Sequence, residues 1–220
     1  MERKHVLLIA VPILLVIAII LLGASLTRRT PQSLLADARE KVLNSPGWSF
    51  MEKINCSDGY ALIAGNVSIV TNELSTIITV VPRGAAPRIY LFYSNKSLSM
   101  VNVEGGWIIS GSGWKPQDTL LGKVLEAAGK AREFYIKQER SLATILFNGT
   151  CTVECQNVFS EATGIISSNF KTPRIWSGEV AVTGDGYPTS LLVVFKGDEG
   201  YCSLEYRIIK VGVPSSIVRP

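Results

Sequence analysis

The chain has 220 residues, of which 47% are hydrophobic, and a formal net charge of +4. Four basic residues and one acidic residue among the first 29 account for +3 of that charge, so the remainder is nearly neutral. Its basic residues are scattered and form no patch with interleaved aromatic side chains, which excludes the usual nucleic-acid-binding surface. About 190 residues remain after the N-terminal segment, enough for one domain with a sizeable core.

The first element is an uncharged apolar run at Val6–Leu26, with basic residues on both sides. A helix of about 20 apolar residues spans the hydrocarbon core of a bilayer. The run is longer than the core of a typical secretory signal, so it predicts an uncleaved signal anchor at residues 1–29. Cleavage after Ser25 is the alternative. We expect a single-pass protein of the cell membrane, anchored through residues 6–26 and followed by a domain at residues 30–220.

Charge leaves the orientation of this anchor open, because the basic residues on its two sides nearly balance under the positive-inside rule. Four Asn-X-Ser/Thr sequons favour a C-terminal domain outside the cytoplasm, in an extracellular glycoprotein. An ordinary loop asparagine explains any single sequon equally well. The candidate glycosylation sites are Asn55, Asn66, Asn95 and Asn148.

Four cysteines lie beyond the apolar run, and an even number in an exported chain predicts disulfide bonds. Three connectivities are possible, and we favour Cys151–Cys155 with Cys56–Cys202. The first pair can close only in a loop or a helical turn, since residues four apart in a strand are separated by roughly 13 Å. A four-cysteine zinc site is the alternative, but the cysteines lack zinc-ribbon spacing and the only histidine is His5. We expect no metal and no cofactor.

The domain begins with an amphipathic helix, predicted at residues 30–46 with Pro31 or Ser33 at its start. Residues 48–110 change to period-two patterning with short turn-like connections, which is typical of an antiparallel meander. Strands are predicted at Trp48–Asn55, Tyr60–Val70, Leu74–Val81, Arg88–Tyr93, Ser97–Val103 and Trp107–Ile109.

A helical block follows, with Asp118 as the expected N-cap and Gly129 as a bend or interruption. A second helical stretch is predicted at Ala131–Phe147, and the close cysteine pair is expected in the loop after it. Strands return in the last third of the chain, and the apolar run Leu191–Phe195 predicts a central strand covered by the helical block. These last strands are predicted at Ile175–Val182, Ser190–Phe195 and Tyr201–Val211.

This order of elements resembles the LolA/LppX-like superfamily of lipoprotein carriers. The resemblance rests on the helix leading to Pro-Gly-Trp-Ser-Phe, Gly-Trp motifs before the helical block, and a Gly-Tyr-Pro turn. These motifs are Pro46–Phe50, Gly105–Trp107, Gly113–Pro116 and Asp185–Pro188. The resemblance implies an α+β fold in which a strongly curved antiparallel sheet forms a half-barrel with helices on its concave face. Family members bind acyl chains on that face. Those members are soluble or lipid-anchored, whereas an anchor helix is predicted here.

The residues of the domain indicate no catalytic centre. Without a histidine, Ser–His and Cys–His nucleophilic pairs are excluded, and Gly111-Ser112-Gly113 lacks the spacing of a nucleophile elbow. We predict a non-catalytic, membrane-anchored domain that binds lipid, lipoprotein or another apolar ligand in a groove of the sheet. The alternative is a structural or interaction glycoprotein of the cell surface with a self-filled core. Three tryptophans are candidates for lining the groove, or alternatively for the core: Trp107, Trp114 and Trp176.

Overall fold

The computed structural model describes residues 29–139, 141–166 and 169–220. The predicted anchor at residues 6–26 lies outside these ranges, and so do residues 1–28 as a whole. Within the described part of the chain, no helix combines the length and the apolar character needed to cross a bilayer.

Within these described ranges, eleven antiparallel strands form a single sheet. They are β1 (Gly47–Cys56), β2 (Gly59–Ser68), β3 (Glu73–Pro82), β4 (Arg88–Ser94), β5 (Leu98–Val103), β6 (Gly106–Ser112), β7 (Glu133–Glu139), β8 (Leu142–Thr150), β9 (Ile175–Thr183), β10 (Pro188–Gly197) and β11 (Gly200–Val211). Their order is β6-β5-β4-β3-β2-β1-β11-β10-β9-β8-β7. Two meanders, one from each half of the domain, therefore meet where β1 pairs with β11.

In the part of the chain that the structure describes, three α-helices accompany the sheet: α1 (Pro31–Leu43), α2 (Leu120–Ala128) and α3 (Val153–Thr163). Helix α2 contacts both of the others. The Thr30 side chain caps α1 by accepting from the backbone N–H of Ser33. Thr119 caps α2, whereas the cap expected from the sequence was Asp118, one residue earlier. Asp118 lies in a short 3-10 turn, Pro116–Asp118. A hydroxyl at the N-cap satisfies one of the free N–H groups of the first turn.

The helices cover one face of the sheet, which we call the inner face. In β1 the side chains of Trp48, Phe50 and Ile54 are buried while those of Met51 and Lys53 are exposed. This alternation follows from the period of two along a strand. Facing partners in the antiparallel ladders share a face, so the register extends this assignment from β1 across the sheet.

Both disulfides join the cysteines favoured from the sequence. Cys56 and Cys202 face each other in the β1–β11 ladder and are bonded across it. Cys151 follows β8 directly and is bonded to Cys155 in the first part of α3. The helical turn brings the second pair within reach, and this helix was not predicted, because we expected a loop there.

The predicted second helix at Ala131–Phe147 is wrong, since this stretch forms β7 and most of β8. Its residues alternate between more buried and more exposed positions: Phe134 and Ile136 are half-buried between exposed neighbours, and Ile145 and Phe147 are buried. A helix would have spread these positions around its circumference. As strands, they add a continuous apolar stripe to the inner face beside β9.

The expected central position of Leu191–Phe195 is close to what is found. These residues lie in β10, an interior strand between β9 and β11. Leu191, Val193 and Phe195 are buried on the inner face, where α1 contacts the strand. Leu192 and Val194, on the opposite or outer face, are half-buried. The strand is therefore apolar on both faces but covered by helices on one.

Candidate functional site

A mainly apolar cavity of about 440 Å³ lies over the inner face of the first meander, against the segment that leads into α2. Known ligand sites have volumes of about 300–1,000 Å³, so the cavity is large enough for a small ligand. Its lining comes from β1 to β5, β11, the start of α2 and α3 with the residues after it. The lining residues are Phe50, Glu52, Ile63, Val67, Leu74, Thr76, Ile78, Phe92, Ser94, Ser99, Gly113, Trp114, Asp118, Thr119, Leu120, Glu161, Ile165 and Tyr206.

A glycine in β2 shapes the floor of this cavity. Gly65 faces Phe50 on one side and Thr76 on the other. A Cβ at this glycine would lie 2.6 Å from the Phe50 ring and 2.7 Å from the Thr76 methyl group. The missing side chain lets the Phe50 ring lie over the strand and stack on Tyr206, with 4.9 Å between ring centroids. The floor is therefore aromatic and flat where a larger residue would fill it.

Trp114 is held over the cavity by the turn between β4 and β5. Its backbone N–H donates to the carbonyl of Asn95 at 2.7 Å. A Cβ on the preceding Gly113 would lie 2.0 Å from the carbonyl oxygen of Lys96, so only glycine permits this close approach. The Trp114 side chain is buried as a result, with 8% of its surface exposed.

Three buried side-chain atoms in the described part of the chain have no hydrogen-bond partner. They are Glu52 Oε1, Thr76 Oγ1 and Trp114 Nε1, and all three residues line this cavity. A buried donor or acceptor left unpaired costs about 1–3 kcal/mol. Such groups are rare in native proteins, and each one calls for an explanation. All three atoms converge on this one cavity.

Glu52 carries an unusual charge state for a carboxyl group. Burial, and secondarily the charge of Glu161, raises its pKa to about 8. The side chain is therefore mostly neutral at pH 7, and a neutral carboxyl can donate as well as accept. Tyr206 faces Glu52 across the β1–β11 ladder. The Tyr206 hydroxyl accepts a hydrogen bond from Trp48 Nε1 at 2.8 Å, and burial raises the pKa of Tyr206 well above its usual value.

The cavity is lined by acidic side chains. They are Glu52, Asp118 and Glu161, and none of the described lining residues is Lys, Arg or His. Glu161 is also paired with Lys123 of α2, which does not line the cavity. The described lining therefore offers an anion no cationic partner.

The structure separates the three tryptophans that were candidates for the groove. Trp114 lines the cavity. Trp107 faces Asn102 in the β5–β6 ladder, and Asn102 faces Leu91 in the β4–β5 ladder. This register places Trp107 on the outer face. Trp176 is buried against Phe147 and Phe195 in the core, as its alternative interpretation expects.

Sequence reasoning missed Glu52 and Thr76. A detectable signal exists for Glu52, because it occupies an inward position in a strand whose other inward residues include Trp48, Phe50 and Ile54. A charged residue at an apolar step of a period-two pattern indicates either a buried partner or a site. Thr76 gives no comparable signal, since threonine is common on either face of a strand.

A second hollow, of about 700 Å³, lies on the outer face across β7 to β10. Tyr135 and Leu146 on its floor are exposed, and Glu133, Glu179 and Lys196 line it with mixed charge. None of the unpartnered buried atoms lies there. We therefore place the candidate site in the smaller inner cavity.

The other chemical candidates are dispersed. Asp185 lies in the β9–β10 turn and accepts from Thr183, and Asp198 pairs with Arg174 at the surface. Within the described ranges, no cluster of His, Cys, Asp and Glu residues could hold a metal ion.

The sequon asparagines lie away from the cavity. Asn55, Asn66 and Asn148 occupy outer-face positions of β1, β2 and β8, and Asn55 and Asn148 are exposed. Asn95 lies in the β4–β5 turn, where its Oδ1 accepts from the backbone N–H groups of Ser97 and Leu98. None of the four lines the inner cavity.

The fold and the site together define a class: an antiparallel sheet with helices on one face that enclose a ligand-sized apolar cavity. The solved structures that share this fold include the following two. LprF from Mycobacterium bovis matches with a TM-score of 0.56 at 11% identity, covering 86% of this chain and 96% of that one. The lipoprotein LppX from Mycobacterium tuberculosis matches with a TM-score of 0.54 at 7% identity, covering 86% and 98%.

These similarities confirm, at the level of the fold, the LolA/LppX-like resemblance predicted from the sequence. No family model and no curated protein matches the chain.

Proposed function

We propose that this domain binds a lipid or another apolar ligand in the inner-face cavity, without catalysing its conversion. The observation that carries the proposal is the convergence of three unpartnered buried polar atoms on one mainly apolar cavity. An amphiphilic ligand satisfies both features, because its chains bury apolar surface while its polar part supplies hydrogen-bond partners. The LolA/LppX-like fold supports this assignment, since the family resemblance implies acyl-chain binding on the same face.

The two halves of the inner face differ in a way that bears on the alternative function. Over β9 to β11, the rings of Phe159, Phe170, Phe195 and Trp176 pack against one another and fill the space under α3. Over β1 to β4, the cavity remains. A purely structural domain with a self-filled core would be expected to fill both halves alike, so the asymmetry favours binding.

The proposal extends to the setting of the domain. We propose that residues 6–26 anchor the chain in a cell membrane and that the domain lies outside the cytoplasm. The apolar run, the sequons and the two disulfides support this, because disulfides persist in oxidising compartments. An anchored domain would receive or present its ligand at the bilayer surface and would not carry it across a compartment.

Native mass spectrometry of the full-length chain, extracted in a mild non-ionic detergent, tests the binding function. We expect an adduct of fixed mass and stoichiometry that organic extraction releases as lipid. A chain that remains at its bare mass in several detergents, and that takes up no lipid on titration, would refute the proposal.

Expression in a eukaryotic secretory host tests the exterior location. We expect a loss of mass after treatment with peptide N-glycosidase, with Asn55 and Asn148 modified most fully because they are exposed. The variants N148Q and T150A should each abolish the same glycan, since both destroy one sequon. A chain with no glycan at any sequon contradicts this prediction.

A further inference from the structure

We infer that the cavity selects ligands whose polar part is uncharged and carries several oxygen acceptors, as in an acylglycerol, and that Trp114, Thr76 and Glu52 bind this part. The inference rests on the proposed function and names the chemical class of its ligand. It draws on the types of the unpartnered groups, their separation and the charges around them.

The hydrogen-bonding capacity of the three groups sets the first requirement. The Trp114 indole N–H can only donate, so the ligand must present an acceptor to it. The Thr76 hydroxyl can donate or accept. Since burial raises the pKa of Glu52 to about 8, its carboxyl can do the same near neutral pH. Ester carbonyls and hydroxyls meet all three demands.

The positions of the three groups set the second requirement. Glu52 lies in β1 and Thr76 in β3, two strands away and offset by two residues in the register. Strand geometry puts their Cα atoms roughly 12 Å apart. Trp114 reaches the cavity from the segment after β6. One carbonyl group does not span these positions, so we assign them to separate polar atoms of one ligand.

The charges set the third requirement. A carboxylate or phosphate inside the cavity would lose its hydration, with no cation among the described lining residues to pair with it. A buried ion without a partner is strongly disfavoured. A fatty acid anion or a phospholipid headgroup therefore does not fit. An ammonium group inside the cavity would have to ionise Glu52 in order to pair with it, because Asp118 and Glu161 are exposed and Glu161 is already paired with Lys123.

Binding of matched probes to the full-length chain in non-ionic detergent tests the inference by native mass spectrometry at pH 7. The probes are dioleoylglycerol, dioleoylphosphatidate, oleate and oleylamine, which share the same acyl or alkyl chain. We expect dioleoylglycerol to bind at least about tenfold more tightly than the phosphatidate.

Two variants then locate the polar contacts. W114F removes the indole N–H while keeping an aromatic side chain, and T76V replaces the hydroxyl with a methyl group of similar size. Each should weaken dioleoylglycerol binding about fivefold, as expected for one lost hydrogen bond. W107F, the same change on the outer face, is the matched control and should have no effect.

Each outcome discriminates. Equal or tighter binding of phosphatidate, oleate or oleylamine would overturn the inference while leaving lipid binding in place. So would W114F and T76V variants that both bind dioleoylglycerol like wild type. If the wild-type chain binds none of the four probes, the proposed function itself fails.

Discussion

The E52Q variant is expected to be more stable than the wild type above pH 5, by an amount that grows with pH. Burial raises the pKa of Glu52 from 4.5 to about 8, and the charge of Glu161 adds to the shift. The folded state therefore retains a proton that the unfolded state releases between these two values. Glutamine has the same shape and no proton to lose, so it escapes this effect.

The sign follows from proton linkage. Below pH 4.5 both states hold the proton, and the two variants should have similar stability. Between pH 4.5 and pH 8 the unfolded state binds fewer protons, so wild-type stability falls by about 1.4 kcal/mol per pH unit. At pH 7 the accumulated difference is about 3 kcal/mol in favour of E52Q. Above pH 8 both states are ionised, and the difference should level off.

Thermal unfolding of both chains from pH 4.5 to pH 9 measures this difference directly. Glu205 provides the matched control, because it is exposed at the neighbouring position of β11 and faces Lys53 on the outer face. E205Q makes the same Glu-to-Gln change without removing a buried carboxyl. The titratable groups that line the cavity with Glu52 are Asp118, Glu161 and Tyr206, and all remain in both variants. A stability difference that is flat across pH would contradict the prediction.

The meander of the first half was predictable because its signals agree. β2 and β3 are rich in apolar and β-branched residues, and Ser57-Asp58-Gly59 and Pro82-Arg83-Gly84 mark the turns at their ends. Strand propensity and turn chemistry then point to the same structure. The cysteine pairing could also be predicted from the sequence. Cys151 and Cys155 are close enough along the chain to bond in a loop or a helical turn, which leaves Cys56 to pair with Cys202.

The β7–β8 hairpin was not predictable by the same reasoning. Phe134, Ile145 and Leu146 would share one side of a helix, while Phe134, Ile136, Ile145 and Phe147 fit alternating strand positions, so this stretch alone allows either assignment. Their partner, β9, lies some 30 residues further along the chain, and local sequence does not reveal it. Tertiary pairing decided the outcome, as it commonly does for short apolar runs.

The candidate site shows a related limit. Trp114 was identified because tryptophan is a large apolar side chain in a chain without catalytic motifs. Its role, however, depends on the close approach of Gly113 to Lys96, which only the fold creates. Glu52 was hidden among ordinary surface carboxylates, although its inward position in β1 was readable from the alternation of its neighbours. Residue type alone found Trp114 and missed Glu52, which its position in the strand pattern would have revealed.

Filling the cavity should abolish ligand binding without unfolding the domain. Ile78 lies in β3 on the inner face, opposite Ile63 and Tyr90, and it lines the cavity while remaining only partly buried. In I78W the indole would occupy space now available to the ligand. A bound ligand would then overpack the site, which costs about 1–3 kcal/mol and lowers affinity by at least about tenfold in the upper part of that range.

Ile77 provides a control from the adjacent position. It faces Ala64 and Leu91 on the outer face and is 47% exposed, so I77W adds the same ring to the same strand away from the cavity. We expect I77W to retain the co-purified lipid and I78W to lose it, with both melting cooperatively. Because the cavity has room for the ring, I78W should change the free energy of unfolding by less than about 1.5 kcal/mol. If I78W folds and still carries lipid at the wild-type stoichiometry, the inner cavity is not the binding site.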